Sequence, residues 1–213
     1  MITLYDYLPS QNAWKVRQLL AHLARPYERV LVSIFEGEGQ SPAYRAINPT
    51  GTVPALRLED GRVLSESNAI LMYLAEGTPY LPDDAYGRAK VWQWLSFEQE
   101  RVESQVGALR HWTLTGKLPG RPEFLVAMKR GASLKALAIL DAELATRDFI
   151  AGDRYTIADM SLFAYTSRAW EADLPLSSFA HVDAWIARVR QQPGFLAEMF
   201  PYAIDPNSGN ELP

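Results

Sequence analysis

The feature that most constrains this chain is a change of texture near residue 77. Before it, short β-branched and aromatic runs alternate with helical periodicity; after it, only helical periodicity is found. Residues 2–7 read as a strand, with Ile2, Leu4 and Asp6 on one side and Thr3, Tyr5 and Tyr7 on the other. After a polar turn, Ala13, Val16, Leu20 and Leu23 share a helical face, with Lys15, Arg17 and Gln18 off it. Residues 27–34 form a second strand candidate, followed by a long polar stretch with a short helix expected at 42–46. Residues 53–58 and 62–64 flank Glu59-Asp60-Gly61, and Asp-Gly is a strong hairpin signal. Ser65-Glu66-Ser67 then opens a helix.

The order is therefore βαβαββα over residues 1–76, a small mixed sheet with helices packed on it. Gly77-Thr-Pro-Tyr-Leu-Pro-Asp-Asp84 breaks both periodicities, so 77–87 is expected to be a linker. Residues 88–213 are expected to form an all-helical domain, with helices over 88–113, 122–146, 156–170 and 182–190. The fold class is α/β plus all-α. Disorder is expected only in the polar tail from Asp205 onward.

Composition excludes several chemistries. Net charge is −4, with acids and bases interspersed and no long basic run. Neither nucleic acid nor an anionic membrane is an expected partner. No apolar run approaches the roughly 18 residues of a bilayer span, and Met-Ile-Thr-Leu-Tyr-Asp-Tyr is unlike a signal peptide, so a cytoplasmic location is expected. Cysteine is absent, which removes disulfides and protein thiolates. His22, His111 and His181 are far apart in sequence, so no metal is expected and reactive sulfur must come from a ligand.

Three places carry candidate chemistry. Ser10 stands where a strand ends and a helix begins. It is suited to capping the helix, or to stabilising an anion with its O–H and the helix N-terminus. Val53-Pro54 opens a strand, where proline removes no central ladder bond; a cis bond here would turn the Val53 N–H and C=O outward toward an extended peptide. Glu66-Ser67-Asn68 begins a helix, and reads either as a cap or as a clamp for a zwitterion: Ser67 for the carboxylate, Glu66 for the ammonium.

Order and spacing give these signals their weight. Leu4-Tyr-Asp-Tyr…Ser10-x-Asn12-x-x-Lys15-Val-Arg17, then Asn48-Pro-x-Gly-x-Val53-Pro54-Ala-Leu, then Glu66-Ser67-x-Ala69-Ile70 resembles the N-terminal domain of the glutathione S-transferase family. Arg154-Tyr-Thr156-Ile-Ala-Asp159-Met-Ser161-Leu resembles that family's capping box, with Thr156 and Asp159 at N-cap and N3. The resemblance implies a thioredoxin-like N-terminal domain, a helical C-terminal domain, a cis Val53–Pro54 bond, glutathione as cosubstrate and a homodimer.

By its Ser10-Gln11 placement the chain is similar to the serine-type classes, such as theta and zeta. The resemblance then makes Ser10 the donor to the glutathione sulfur, with Asn12 as a rival donor and Tyr5 or Tyr7 as a tyrosine-type alternative. It gives Val53 and Pro54 the cysteinyl main chain, Glu66 and Ser67 the γ-glutamyl end, and Gln40 the glycine carboxylate. The zeta-type Ser-Ser-Cys-Ser string is absent, which disfavours maleylacetoacetate isomerisation, and the lack of cysteine disfavours omega-like and beta-like thiol transfer.

The expected activity is transfer of the thiolate to a small hydrophobic electrophile. Glutathione-dependent peroxidase, dehalogenase or isomerase chemistry, or a non-catalytic interaction module, are the alternatives. The electrophile site is expected between domains, with Arg110-His111-Trp112 and Trp170 as candidate lining. Glu98, Gln99 and Glu103 are expected to face solvent or a dimer interface.

Overall fold

The computed structural model describes residues 1–212 and resolves two compact units: Met1–Glu76 together with the chain from Gly194 on, and Gly77–Pro193. In the first unit, β1 (Ile2–Asp6), α1 (Gln11–His22), β2 (Tyr27–Leu31), a short α2 (Pro42–Arg45), β3 (Ala55–Arg57), β4 (Val63–Ser65) and α3 (Ser67–Ala75) follow in the expected order. The sheet order is β2-β1-β3-β4. β1 pairs parallel with β2 and antiparallel with β3, and β3 pairs antiparallel with β4. This is the thioredoxin-like arrangement. Two single-turn 3₁₀ helices, Ile34–Glu36 and Glu38–Gln40, occupy the polar stretch after β2.

β1 is buried along its whole length because it lies inside the sheet with both faces covered. The helix that follows departs from its predicted amphipathic pattern: Lys15, Arg17 and Gln18, expected off the apolar face, are all buried. Arg17 Nη1 lies 2.6 Å from Asp6 Oδ1, and Nη2 donates to the Leu8 carbonyl at 2.9 Å. A buried charge survives only when paired, and this pair ties α1 to the end of β1. Gln18 turns the other way, accepting from the Leu196 N–H at 2.7 Å and donating to the Gly194 carbonyl at 3.3 Å.

Those last contacts explain why the chain from Gly194 on groups with the first unit rather than with the helical residues before it. Trp14 Nε1 donates to the Leu196 carbonyl at 3.2 Å, and its ring packs on Phe195. Phe200 lies beneath the Arg17 guanidinium. In the polar tail, where composition suggested disorder, Asp205 Oδ2 accepts from the Tyr7 hydroxyl at 2.8 Å and Asn210 Nδ2 donates to the Phe35 carbonyl at 3.2 Å.

The second unit is helical. A continuous run comprises α4 (Ala85–Phe97), a π-helical stretch Glu98–Gly107 and α5 (Ala108–Leu114). α6 (Glu123–Leu144), α7 (Ile157–Thr166) and α8 (Ala180–Arg190) complete it. α7 is almost wholly buried and starts with the predicted capping box of Thr156 and Asp159. Asp159 also accepts from Ile150 N at 2.8 Å and Trp185 Nε1 at 2.9 Å. Complete burial still pushes its carboxyl up to about 6, against the opposing pull of these bonds.

α8 has no side-chain cap from its own flank. Asp141, on α6, supplies one, accepting from the backbone N–H of His181 at 2.8 Å and Val182 at 3.0 Å. Among the described residues no helix is long and apolar enough to cross a membrane, and no group of acids and histidines is arranged to hold a metal ion.

Candidate functional site

The sheet register gathers the three predicted segments at one end of the first unit. Tyr5 of β1 pairs with Ala55 of β3, which pairs with Ser65 of β4. One row across the sheet thus ends in the turn to Ser10, begins after Val53–Pro54, and ends in Glu66–Ser67. Open sheets place ligand crevices at such strand ends.

Ser10 is the N-cap of α1 and its Oγ accepts from the Ala13 N–H at 3.2 Å. Capping uses a lone pair and leaves the hydroxyl proton to be donated elsewhere, so cap and anion donor are compatible roles. Asn12 lies in the first turn of the same helix, and its Oδ1 accepts from the Ser67 hydroxyl at 3.4 Å. This bond joins the N-terminal turns of α1 and α3, the two helix ends whose partial positive charges favour an anion.

The Val53–Pro54 peptide bond is cis. The turn before it is fixed by two residues with no role assigned from sequence. Asn48, fully buried, donates from Nδ2 to the Thr52 carbonyl at 2.8 Å and accepts from Thr50 N and Oγ1 at 3.2 and 3.0 Å. The Tyr44 hydroxyl donates to the same Thr52 carbonyl at 2.7 Å, and burial pushes that hydroxyl up to about 12, so it remains a donor. The Asn-Pro dipeptide marks a turn of this kind from sequence, but Tyr44 carries no local signal.

Gly51 has φ +71°, and a Cβ there would meet the Gly39 carbonyl oxygen and Gln40 Nε2, each at 2.6 Å. Only glycine allows this close approach. It places the Gln40 amide beside the turn that leads into Val53.

Glu66 has φ 68° and ψ 113°, an unusual conformation for a residue with a side chain. Such a residue costs on the order of 1–3 kcal/mol and is concentrated at functional sites. It caps nothing with its side chain, which is exposed, while Ser67 behind it is buried. The sequence expectation of a capping role is therefore not met by Glu66, whose carboxylate is presented outward.

Neither tyrosine of the strand is an open donor. Tyr5 packs edge-on against Tyr44, under the Arg57 guanidinium. The Tyr7 hydroxyl donates to Asp205 Oδ2 at 2.8 Å, and burial, then this carboxylate, raise it well above its ordinary range.

In the second unit Arg110 is buried in an ion pair with Glu171, which also binds Arg168. Trp112 lies under Arg121 and Lys129, His111 is partly buried, and Trp170 is mostly exposed. Glu98, expected at the surface, is instead fully buried and accepts from the Ser161 hydroxyl at 3.1 Å. Its spacing of three and four residues from Leu95 and Val102 puts it on the buried face of this run. Gln99 is exposed and Glu103 half-buried, and the two are bonded to each other.

Comparison with known proteins agrees with this architecture. The family described as "Glutathione S-transferase, N-terminal domain" matches residues 9–76, and "Glutathione S-transferase, C-terminal domain" matches residues 96–193. Glutathione S-transferase 3 of Zea mays is 32% identical over 204 residues, covering 91% of each chain. A solved structure of a possible glutathione S-transferase from Rhodopseudomonas palustris is 40% identical with TM-score 0.89, covering 97% of this chain and 94% of that one. A glutathione transferase from Burkholderia graminis, solved with two glutathione molecules bound per subunit, is 28% identical with TM-score 0.80, covering 91% and 85%. This chain belongs to the glutathione S-transferase family.

Proposed function

We propose that this chain is a glutathione transferase that binds glutathione at the sheet end of its first unit and transfers the thiolate to a small hydrophobic electrophile. The observation that carries the reading is the register row Tyr5–Ala55–Ser65. It sends Ser10, Val53–Pro54 and Glu66–Ser67 out from one end of one sheet. In this reading Ser10 donates to the sulfur, with Asn12 beside it as the second candidate. The Val53 main chain pairs with the cysteinyl residue, Glu66 and Ser67 hold the γ-glutamyl zwitterion, and Gln40 meets the glycine carboxylate.

Two features support the assignment of roles. Tyr7 is committed to Asp205, which leaves the donor role to the start of α1. The outlying backbone of Glu66 presents a carboxylate beside the buried hydroxyl of Ser67, as a clamp for a zwitterion requires. Catalysis then consists of thiolate stabilisation and positioning, with no covalent enzyme intermediate. We further read the protein as a cytoplasmic homodimer.

Titration calorimetry with free glutathione, followed by a conjugation assay with an aromatic chloride, tests the reading. Binding and turnover are expected. Binding without turnover on any of a panel of electrophiles and peroxides would leave an interaction module, and absence of binding would refute the site.

A further inference from the structure

The turn that carries Ser10 is held carbonyl by carbonyl. The Tyr7 carbonyl accepts from Ser10 N at 2.9 Å, the Pro9 carbonyl from Gln11 Nε2 at 3.3 Å, and the Ser10 carbonyl from Trp14 N at 3.0 Å. These three bonds are local. The fourth is not: the Leu8 carbonyl accepts at 2.9 Å from Nη2 of Arg17, nine residues along the chain. Pro9 has no N–H and its ring fixes its own φ, so the orientation of the Leu8–Pro9 peptide is the main freedom left in the approach to Ser10. Arg17 removes it.

Arg17 is itself fixed. Its side chain is 2% exposed, and Nη1 lies 2.6 Å from Oδ1 of the fully buried Asp6. The other Asp6 oxygen lies 3.5 Å from Arg29 Nε on β2, and the Phe200 ring lies 6.0 Å from the Arg17 guanidinium carbon. An ion pair buried this deeply is a weak source of stability, because desolvation offsets the attraction. What the guanidinium supplies is geometry. One planar fork binds a carboxylate on β1 and a carbonyl in the turn at once, whereas a lysine there would act as a point charge.

We propose that Arg17 is a positioning residue for the thiolate donor: braced on Asp6, it sets the Leu8–Pro9 peptide and so aims the Ser10 hydroxyl at the glutathione sulfur. The proposal rests on the transferase reading, which makes that hydroxyl the donor. Arg17 touches no ligand in this arrangement, and its effect on the chemistry passes through Ser10. A hydrogen bond weakens steeply as its angle closes. A turn that drifts therefore loses thiolate stabilisation before it loses glutathione, which Val53, Glu66 and Ser67 hold from other segments.

A double-mutant cycle of Arg17→Lys and Ser10→Ala in the full chain tests this. It is read by ultraviolet titration of the bound thiolate, by conjugation of chlorodinitrobenzene and by calorimetry with glutathione. Lysine keeps a cation beside Asp6 but cannot hold both acceptors. Arg17→Lys alone should raise the thiol midpoint by about 0.5–1 unit and cut kcat at neutral pH about three- to tenfold. Glutathione affinity should change by less than about twofold. In the Ser10→Ala background the same substitution should leave the midpoint where Ser10→Ala put it, because the hydroxyl it aims is gone.

If Arg17→Lys does not fold, the neutral pair Asp6→Asn with Arg17→Gln, which leaves neither charge buried, takes its place in the cycle. An unchanged midpoint in the folded variant would overturn the proposal. So would a shift of the same size with and without the Ser10 hydroxyl, which is the mark of a general structural effect. Failure of the underlying reading looks different: the original protein then binds no glutathione, or Ser10→Ala leaves the midpoint unmoved, and the positioning role falls with the donor.

Discussion

The Ser67 hydroxyl donates to Asn12 Oδ1 at 3.4 Å, so the first turns of α3 and α1 are hydrogen-bonded across 55 residues of sequence. Helix ends held together in this way face one ligand space with two sets of unsatisfied N–H groups. The Ser67 hydroxyl has one proton: without ligand it braces the helix that carries Ser10, and in the proposed complex it turns from Asn12 to the γ-glutamyl carboxylate.

Replacing Glu66 and Ser67 together with alanine should abolish retention on immobilised glutathione. A hydrogen bond to a charged group contributes roughly 1.5–3 kcal/mol, so losing both groups predicts an affinity drop of about a hundredfold or more. Unchanged calorimetric affinity would remove these residues from the site.

Asn48→Ala addresses the turn rather than the ligand. It deletes the Nδ2 donor to the Thr52 carbonyl and the acceptor of two Thr50 bonds. With polar groups left unpaired at a buried position, the expected cost is about 1–3 kcal/mol of stability. KM for glutathione should rise more than kcat falls, because the loosened element is the one proposed to pair with the peptide. If thermal unfolding and KM both stay at their original values, Asn48 does not hold this turn.

Sequence periodicity shows which faces are apolar, and it located every strand and long helix to within a few residues. It does not show which polar side chain will find a distant partner. Lys15 and Arg17 look solvent-facing on a helical wheel, yet Arg17 is buried because Asp6 ends the neighbouring strand. Asp141 and His181 are 40 residues apart, and no local motif announces that one caps the helix of the other. The contacts of Asp205 have the same cause: it looks like part of a disordered terminus until Tyr7, 198 residues away, is placed beside it. The candidate site was more legible, because Ser10, Val53–Pro54 and Glu66–Ser67 lie at strand ends, and strand ends are what alternation patterns mark.

The cap by Asp141 predicts a pH dependence. Its carboxyl is buried enough for desolvation to act, but the N–H groups of Val182 and His181 and the His181 side chain outweigh that and hold it below its ordinary 3.8. A carboxylate depressed on folding stabilises the protein above its unfolded value, and that contribution disappears as pH falls through the folded value. Asp141→Asn, which keeps an acceptor but removes the charge, should therefore destabilise the second unit near neutrality by roughly 0.3–1 kcal/mol, the usual worth of a charge at a helix N-terminus. The gap between variant and original should close below about pH 3.8. Denaturant titrations at neutral pH and below pH 3.8 give the comparison, and a gap independent of pH would refute the charged cap.

A homodimer is expected from the family, and Trp92, half exposed on α4, is a side chain that an interface would cover. Light scattering at micromolar concentration should give twice the 23.9 kDa chain mass. A particle of single-chain mass would contradict the dimer.

Ser10→Ala tests whether the chemistry is assigned to the right atom. A free thiol has a pKa near 8.5, so only a few per cent is thiolate at neutral pH. One hydrogen bond to the ionised form contributes roughly 1.5–3 kcal/mol, and about 1.4 kcal/mol corresponds to one pKa unit. The Ser10 hydroxyl should thus lower the bound thiol by about 1–2 units, because a donor stabilises only the charged form. Losing it should raise the bound thiol by that amount and cut turnover at neutral pH about tenfold or more. Glutathione affinity should change less, since Glu66 and Ser67 remain. Activity should recover in part as pH rises, because hydroxide then generates the thiolate that the missing donor no longer favours. The cap is lost in the same variant, since Oγ accepts from Ala13 N, so a fall in stability of about 1 kcal/mol is expected alongside. Only the ultraviolet titration of the bound thiolate separates the two roles. If its midpoint is the same with and without the hydroxyl, Ser10 is a helix cap alone and Asn12→Ala becomes the decisive substitution.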